Sequence, residues 1–175
     1  EIGGTVGDLE SQWFVEAARE LISKVKKEDI LFVHLGFIPE IGQEEYQKTK
    51  PFQQSLQLLK EKGIFPDILI GRCKNKLTEK TKQKLSWLCN VPLDCIFSDP
   101  DLEFSYELPL FLEKEGMLKT LQDKLKLKKN NTKSSKFNSI VKKLKKRSKI
   151  TLNIGICGKY TELHDSYLSI KEALI

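Results

Sequence analysis

The chain has 175 residues, 39% of them hydrophobic and 31% charged, which suits one folded domain with the edge of a second. No segment approaches the ~20 consecutive apolar residues of a membrane-spanning helix. No basic-then-apolar leader precedes the first motif. We therefore expect a cytoplasmic protein with no membrane partner.

The net charge of +6 comes from one segment. Residues 124–149 contain twelve Lys or Arg residues and no Asp or Glu, which leaves 18 basic against 24 acidic residues elsewhere. The single aromatic residue of that segment, Phe137, offers no stacking platform for bases. We interpret this basic segment as a charged linker and do not expect it to bind nucleic acid. The four cysteines lack metal-ligand spacing and are predicted to be reduced, buried thiols.

A glycine-rich turn, EIGGTVGDLES, occupies residues 1–11. Its glycines allow positive φ and a close approach of the backbone to a ligand. Its carboxylates suit a divalent metal ion or the hydroxyl and amino groups of a nucleotide. Ser11 can cap the next helix, whose apolar positions recur at helical spacing: Trp13, Phe14, Ala17, Ala18, Leu21 and Ile22.

Strands and helices then alternate along the chain. The run at 30–35 is nearly all apolar, which is typical of a strand covered on both faces, and two further short strands are predicted at 65–72 and 95–97. Helices are predicted from Pro51 to a stop at Gly63, over 78–88, and over 108–127 with an interruption at Gly116. This alternation predicts an α/β fold in which helices flank a mostly parallel sheet.

The last part of the chain changes character. Residues 128–149 begin as a polar linker and continue as a basic amphipathic helix. Residues 150–160 predict a new strand and turn, and residues 167–175 the helix that follows. We therefore divide the chain into an α/β domain (1–127), a basic interdomain linker (128–149) and the start of a second α/β domain (150–175).

Two lysines flank a threonine in Lys48-Thr49-Lys50, just before the helix that begins near Pro51. A helix N-terminus supplies unpaired N–H groups and partial positive charge, to which the lysines add full charges. In an open α/β sheet such loops gather at the carboxyl edge, where ligands bind. Two interpretations stay open on pattern alone: a site for a nucleotide or phosphorylated ligand, and a solvated loop with helix-capping charges.

Residues 1–11 closely resemble the signature of the synthetase, or amidoligase, domain of the CTP synthase family. The resemblance covers nearly the whole chain in the family's order and is weakest at 124–149. The family usually has Thr at the position of Phe52. Besides residues 1–11, the motifs that carry this family resemblance are KTKPFQ at 48–53, PDI at 66–68 with Arg72, Lys84 with CNV at 89–91, SYELP at 105–109, and GKY at 158–160 with DSY at 165–167.

This resemblance implies a P-loop-NTPase-like amidoligase fold without its N-terminal part, followed by the beginning of a class I glutamine amidotransferase (glutaminase) domain. The family is a ligase of pyrimidine biosynthesis that makes CTP from UTP. ATP phosphorylates the uracil 4-oxygen, and ammonia released from glutamine displaces that phosphate. The resemblance therefore implies Mg²⁺ as cofactor, UTP, CTP and ATP as partners, and a homotetramer with nucleotide sites shared between subunits.

The resemblance assigns binding residues but no catalytic residue to this chain. Glu1 would ligate Mg²⁺, and Asp8, Leu9 and Glu10 would contact CTP, the feedback inhibitor. The UTP or CTP site would also include Lys48, Thr49, Lys50, Pro51, Phe52, Gln53 and Lys84. Pro100, Asp101 and Leu102 would lie against the adenine of ATP, although the family often has a basic residue where Pro100 stands. Simpler roles stay open, since Asp8 or Glu10 could cap a helix and Lys84 could face solvent.

The sequence lacks the family's phosphate-binding loop, because no G-x-x-x-x-G-K-[ST] occurs in it. It also lacks the glutaminase Cys-His-Glu triad, and Cys157 falls in the predicted first strand of that domain. Two hypotheses follow. The chain is an internal part of a working CTP synthase and inactive alone, or it is a non-catalytic remnant that binds a pyrimidine nucleotide or a synthase subunit. A generic P-loop-like ATPase fragment is a third alternative.

Overall fold

The structure, a computed structural model, describes residues 1–42, 46–128, 135–146 and 152–174. Its strands are β1 (Val33–Phe37), β2 (Glu40–Ile41), β3 (Tyr46–Gln47), β4 (Ile68–Arg72) and β5 (Ile96–Asp99). Its helices are α1 (Gln12–Leu21), α2 (Lys50–Glu61), α3 (Glu79–Cys89), α4 (Leu108–Lys114), α5 (Met117–Lys124), α6 (Ser135–Lys145) and α7 (Leu168–Leu174). The predicted α/β class is confirmed.

Three parallel strands form the main sheet, in the order β1-β4-β5. His34 lies opposite Leu69, and Leu69 lies opposite Ile96, so these three side chains share one face of the sheet. Buried side chains of α2 and α3, among them Phe52 and Leu85, join that face in the main core. Strands β2 and β3 form a separate antiparallel pair of two residues each.

The helix boundaries follow local signals in the sequence. Pro51 lies in the first turn of α2, and Gly63 follows the helix with φ of +81°. The Thr78 hydroxyl oxygen accepts a hydrogen bond from the Thr81 N–H at 3.1 Å and so caps α3. Asn90 ends α3 in the left-handed conformation. Gly116 separates α4 from α5, as predicted.

Strand β1 differs from its prediction. It covers residues 33–37 rather than 30–35, and only one of its faces is covered. Val33, Leu35 and Phe37 alternate on the other face and are exposed to 43%, 55% and 61%. Helix α2 packs on the face of β1 that carries His34 and Gly36, with Phe52 against Gly36, so it covers that face and not the one of Val33, Leu35 and Phe37.

Helix α1 also departs from its predicted apolar face. Trp13 and Phe14 are exposed, and Val15 is the buried residue of the helix. Val15 borders a concavity that Leu59 and Ile64 also line, so the helix faces the end of α2. Ser11 precedes the helix but makes no capping bond; its hydroxyl donates to the Asp8 carbonyl at 3.1 Å.

The predicted strand at 150–160 is not found in the part of it that the structure describes. Residues 152–160 form no strand, since none of the described strands pairs with them. The predicted helices near 137–144 and 167–175 are present as α6 and α7. Among the described helices, none is long and apolar enough to cross a membrane.

Candidate functional site

The loops that leave the sheet meet at its carboxyl edge. The three parallel strands end at Phe37, Arg72 and Asp99, and Phe37 and Asp99 both stand opposite Arg72. The β2–β3 hairpin follows β1, residues 73–78 follow β4, and residues 100–102 follow β5. This edge is where an open α/β sheet binds its ligands.

The hairpin delivers the basic loop to the start of α2. The Lys48 N–H donates to the Pro39 carbonyl at 2.8 Å, which fixes the loop against the end of β1. Thr49 is buried, and its hydroxyl oxygen accepts a hydrogen bond from Gln53 Nε2 at 2.8 Å. The side chains of Lys48 and Lys50 are exposed on either side of it. Two cations therefore stand at a helix N-terminus, an arrangement that attracts an anion.

Phe52 lies in the core and not on the surface of this loop. Its side chain is fully buried, and its ring meets the ring of His34 edge-on at 5.2 Å between centroids. A Cβ built on Gly36 would lie 2.6 Å from Phe52 Cδ2, so the ring occupies space that only a glycine leaves open. Any contact of Phe52 with a ligand would therefore come from its backbone.

Lys84, on α3, is brought next to the basic loop. Its ammonium nitrogen lies 3.5 Å from the hydroxyl of Tyr46, two residues before Lys48. Lys84 is exposed, like Lys48 and Lys50. The charge of Lys84 is thus brought to the end of the hairpin that leads into the basic loop.

Polar side chains join the hairpin to the loop after β4, and the sequence did not predict them. Glu40 and Gln47 pair across the hairpin, and Asn75 hydrogen-bonds to the Glu40 carboxylate. The sequence carries no local signal for this set, since Glu40 and Asn75 lie 35 positions apart.

The glycine-rich turn is held by its own side chains. Gly4 and Gly7 have φ of +84° and +107°, and Asp8 Oδ2 accepts a hydrogen bond from the Thr5 N–H at 2.8 Å. Asp8 thus closes the turn and makes no side-chain cap for the following helical turn. Glu1, Asp8 and Glu10 border an open concavity of about 530 Å³.

The structure separates this turn from the basic loop. A Cβ on Gly7 would lie 3.9 Å from Leu58 Cδ1. Leu58 follows Lys50 by eight residues, which is about 12 Å along the axis of α2 at ~1.5 Å per residue. Within one chain, Lys84 joins the basic loop, whereas Asp8 and Glu10 lie toward the other end of α2.

Comparison with known proteins decides the family. The family model described as CTP synthase N-terminus matches residues 1–127. The chain belongs to the CTP synthase family. CTP synthases from Pyrococcus furiosus and Ruminiclostridium cellulolyticum are 43% and 40% identical to it over 174 residues. Each alignment covers 99% of this chain and 32% of the relative, so the chain spans about a third of their length. The CTP synthase from Saccharolobus solfataricus is 41% identical, with 33% of its length covered.

The stretch that the family resemblance places against adenine lies at the same edge of the sheet. Asp101 Oδ1 accepts a hydrogen bond from an Arg72 guanidinium nitrogen at 2.6 Å, and the Asp101 N–H donates to the Lys74 carbonyl at 3.1 Å. Pro100 is buried and has no N–H, and Leu102 is half-buried. The Asp101 N–H and one oxygen of its carboxylate therefore already form hydrogen bonds within the protein.

The carboxylates of the glycine-rich turn are the candidates for a metal site. Among the residues that the structure describes, no group of three or more His, Cys, Asp or Glu side chains could hold a metal ion. Glu1 is exposed and borders the concavity beside the turn. Mg²⁺ commonly takes one or two carboxylates, with water and phosphate oxygens as its other ligands. Glu1 fits that mode of binding and not a cage built by the protein alone.

Proposed function

We propose that this chain forms the pyrimidine-nucleotide side of a CTP synthase, an enzyme that aminates UTP to CTP with ATP and with ammonia from glutamine. The observation that carries the proposal is the contact of Lys84 with Tyr46, which lies two residues before Lys48 in the segment that leads to the start of α2. Three cations beside a helix N-terminus provide the charge that a triphosphate requires.

Each residue of the basic loop has a role in this proposal. Lys48 and Lys50 neutralise the triphosphate, and Lys84 approaches it from α3. Thr49 is buried and acts through Gln53, whose side-chain amide it holds at 2.8 Å. That amide keeps a second N–H and a carbonyl oxygen for the ribose or the base. Pro51 and Phe52 contribute backbone and anchor the helix.

Asp8, Leu9 and Glu10 would contact CTP in its role as feedback inhibitor. Since one chain places them away from its own basic loop, we propose that they reach the basic loop of a second subunit within the homotetramer. Leu9 is 76% exposed, as a contact residue at such a shared site would be.

Glu1 is the residue that would hold Mg²⁺, and Pro100, Asp101 and Leu102 would lie against adenine. Bound Mg²⁺ would neutralise phosphate charge on ATP. For the adenine, the half-buried Leu102 supplies apolar surface, whereas Pro100 is buried. The Arg72–Asp101 pair fixes the stretch at the end of β5.

We further propose that residues 1–127 belong to the later part of the synthetase domain, 128–149 to a linker and 150–175 to the beginning of the glutaminase domain. Two observations support this division. The family match called N-terminus ends at residue 127, whereas the alignments with whole CTP synthases extend over 174 residues. The sequence also contains no G-x-x-x-x-G-K-[ST].

Calorimetric titration of the 175-residue chain with CTP and with UTP tests the proposed site. Lys50→Ala and Lys84→Ala should each weaken binding at least about tenfold, because a hydrogen bond to a charged group contributes about 1.5–3 kcal/mol and about 1.4 kcal/mol is tenfold. Lys119→Ala, which removes an exposed cation of α5, is the matched control and should bind normally. If neither Lys50→Ala nor Lys84→Ala changes the affinity for CTP or UTP, the proposed site is refuted.

A second experiment addresses activity. We expect no CTP from UTP, ATP and either ammonia or glutamine when this chain is the only protein. Chromatography of the nucleotides measures the product, and turnover that disappears in Lys50→Ala would contradict the expectation. The alternative of a non-catalytic remnant is decided by the gene. An upstream reading frame that encodes a glycine-rich loop with a lysine supports the enzyme, and a start codon near Glu1 supports the remnant.

A further inference from the structure

Glu40 receives three hydrogen bonds from two different parts of the chain. Its Oε1 accepts from Gln47 Nε2 at 3.1 Å and from the Asn75 N–H at 2.9 Å. Its Oε2 accepts from Asn75 Nδ2 at 2.7 Å. Both oxygens of one carboxylate therefore join the hairpin to the loop that follows β4.

Gln47 completes the connection on the side of α3. Its side chain is buried, and its Nε2 also donates to the Lys76 carbonyl at 3.1 Å. Its Oε1 accepts from the Thr78 N–H at 3.0 Å, and Thr78 is the residue that caps α3. Gln47 is thus fixed to the start of α3, and the next residue in the chain is Lys48.

The charge of Glu40 suits this role. Partial burial would raise the pKa of the Glu40 carboxyl, but the hydrogen bonds from Asn75 and Gln47 and the nearby Lys74 lower it below its usual value overall. The carboxylate therefore stays ionised at neutral pH, and ionised acceptors form the stronger hydrogen bonds.

The hairpin needs such a connection. Its two strands have two residues each, and an isolated pair of strands this short has little stability of its own. Lys48, Lys50 and Lys84 carry like charges that repel one another when no anion is bound. Without a tie, the hairpin and α3 would be free to move apart.

We propose that Glu40, Gln47 and Asn75, here called the Glu40 clamp, are positioning residues for a nucleotide triphosphate. The clamp holds the basic loop against α3 so that Lys84 and the two loop lysines meet the same ligand. This inference rests on the proposed function, and it adds residues that touch the ligand only through their neighbours.

A double-mutant cycle between Glu40→Ala and Lys84→Ala, with CTP titrated into the chain, tests the clamp. Lys84→Ala should weaken CTP binding about tenfold in the natural chain but less than about threefold beside Glu40→Ala, because Lys84 then no longer shares the ligand with the loop. Glu40→Ala alone should weaken binding roughly tenfold. Glu61→Ala changes the net charge equally at the far end of α2 and should leave the effect of Lys84→Ala intact.

Several outcomes separate the possibilities. Strictly additive effects of Glu40→Ala and Lys84→Ala would overturn the clamp while leaving the nucleotide site in place. If the natural chain does not bind CTP, the proposed function fails first and the clamp fails with it. Circular dichroism checks that each variant is folded. If Glu40→Ala does not fold, Gln47→Ala takes its place in the same cycle, since it removes the side-chain bonds to Glu40, to the Lys76 carbonyl and to the Thr78 N–H; additivity there overturns the clamp as well.

Discussion

Replacing Gly36 by alanine would place a methyl group against the ring of Phe52. A Cβ at this position lies 2.6 Å from Cδ2, 2.9 Å from Cε2 and 3.3 Å from Cγ of that ring. The ring cannot withdraw easily, because Phe52 is fully buried and also packs against the ring of His34. We therefore predict that position 36 needs a glycine because the ring of Phe52 leaves no room for a Cβ, and not because the backbone conformation demands one.

The structure sets the size of the effect. Overpacking of a tight core costs about 1–3 kcal/mol, which is the expected loss for Gly36→Ala. Phe52→Ala should cost about 3–5 kcal/mol, because it removes a fully buried ring and leaves a cavity. In the double variant the methyl group added at position 36 has no ring to meet. The cost of Gly36→Ala should then fall nearly to zero, and the two losses should not add.

Urea denaturation followed by far-UV circular dichroism measures these free energies of unfolding. Tryptophan fluorescence is a poor probe here, since Trp13 and Trp87 are both 81% exposed in the folded protein. Gly155→Ala is the matched control, because nothing lies within 4 Å of a Cβ there. Its effect should stay within about 0.5 kcal/mol. Equal effects of Gly36→Ala and Gly155→Ala, or additive losses in the cycle, would refute the reasoning.

Other predictions concern buried charge and thiols. Burial lowers the pKa of His34 to about 4 from 6.5, so His34 folds neutral, and stability should fall by about 3 kcal/mol as pH drops from 6.5 to 4. Urea titrations at each pH should show His34→Leu lacking this decline; an identical decline would contradict it. Glu115→Ala should lower the free energy of unfolding by about 3–5 kcal/mol in the same assay, because the nearly buried ammonium of Lys82 loses its carboxylate partner. A loss under about 1 kcal/mol would contradict the importance of this ion pair. The exposed thiol of Cys157 should react at once with a disulfide reagent. Burial raises the pKa of the Cys73 thiol to about 12, so Cys73 should react only when the protein unfolds. Equal reaction rates of the two thiols would contradict the burial of Cys73.

The acid dependence has a second component at lower pH. Burial would raise the pKa of the Glu115 carboxyl, but the Ser98 N–H, Lys82 and Lys76 lower it below 4.5 overall. A lowered carboxyl pKa stabilises the fold above the unfolded value and loses that stabilisation as pH falls through the folded value. The contribution of Glu115 should therefore disappear below about pH 4.5, whereas that of His34 acts between 6.5 and 4.

The sequence was sufficient for the elements whose signals are local. Apolar runs and helical spacing predicted the alternation of strands and helices, and Pro51, Gly63 and Thr78 marked helix ends that the structure confirms. These signals depend on residues within one or two turns of each other. The motif at 48–53 likewise stands at the start of a helix in the structure, as its proline indicated.

Other features depend on which distant segments meet, and local patterns do not encode that. The apolar run that became β1 gave no sign that one of its faces stays exposed, because exposure of a face depends on which distant elements pack over it. Phe52 looked like a ligand contact by its place in a binding motif. Its burial depends on Gly36, in a strand that ends before the motif begins.

The candidate site shows the same division. The sequence alone predicted the chemistry of the site: lysines beside a helix start suit an anion, and the motif resemblance implies a pyrimidine nucleotide. Only the tertiary structure decided the arrangement: it joined Lys84 to the basic loop, placed the glycine-rich turn toward the far end of α2, and connected Glu40 with Asn75 across 35 positions. The residue types indicate which chemistry a site can perform. The distances between side chains remote in sequence are fixed only when the sheet register and the helix packing form.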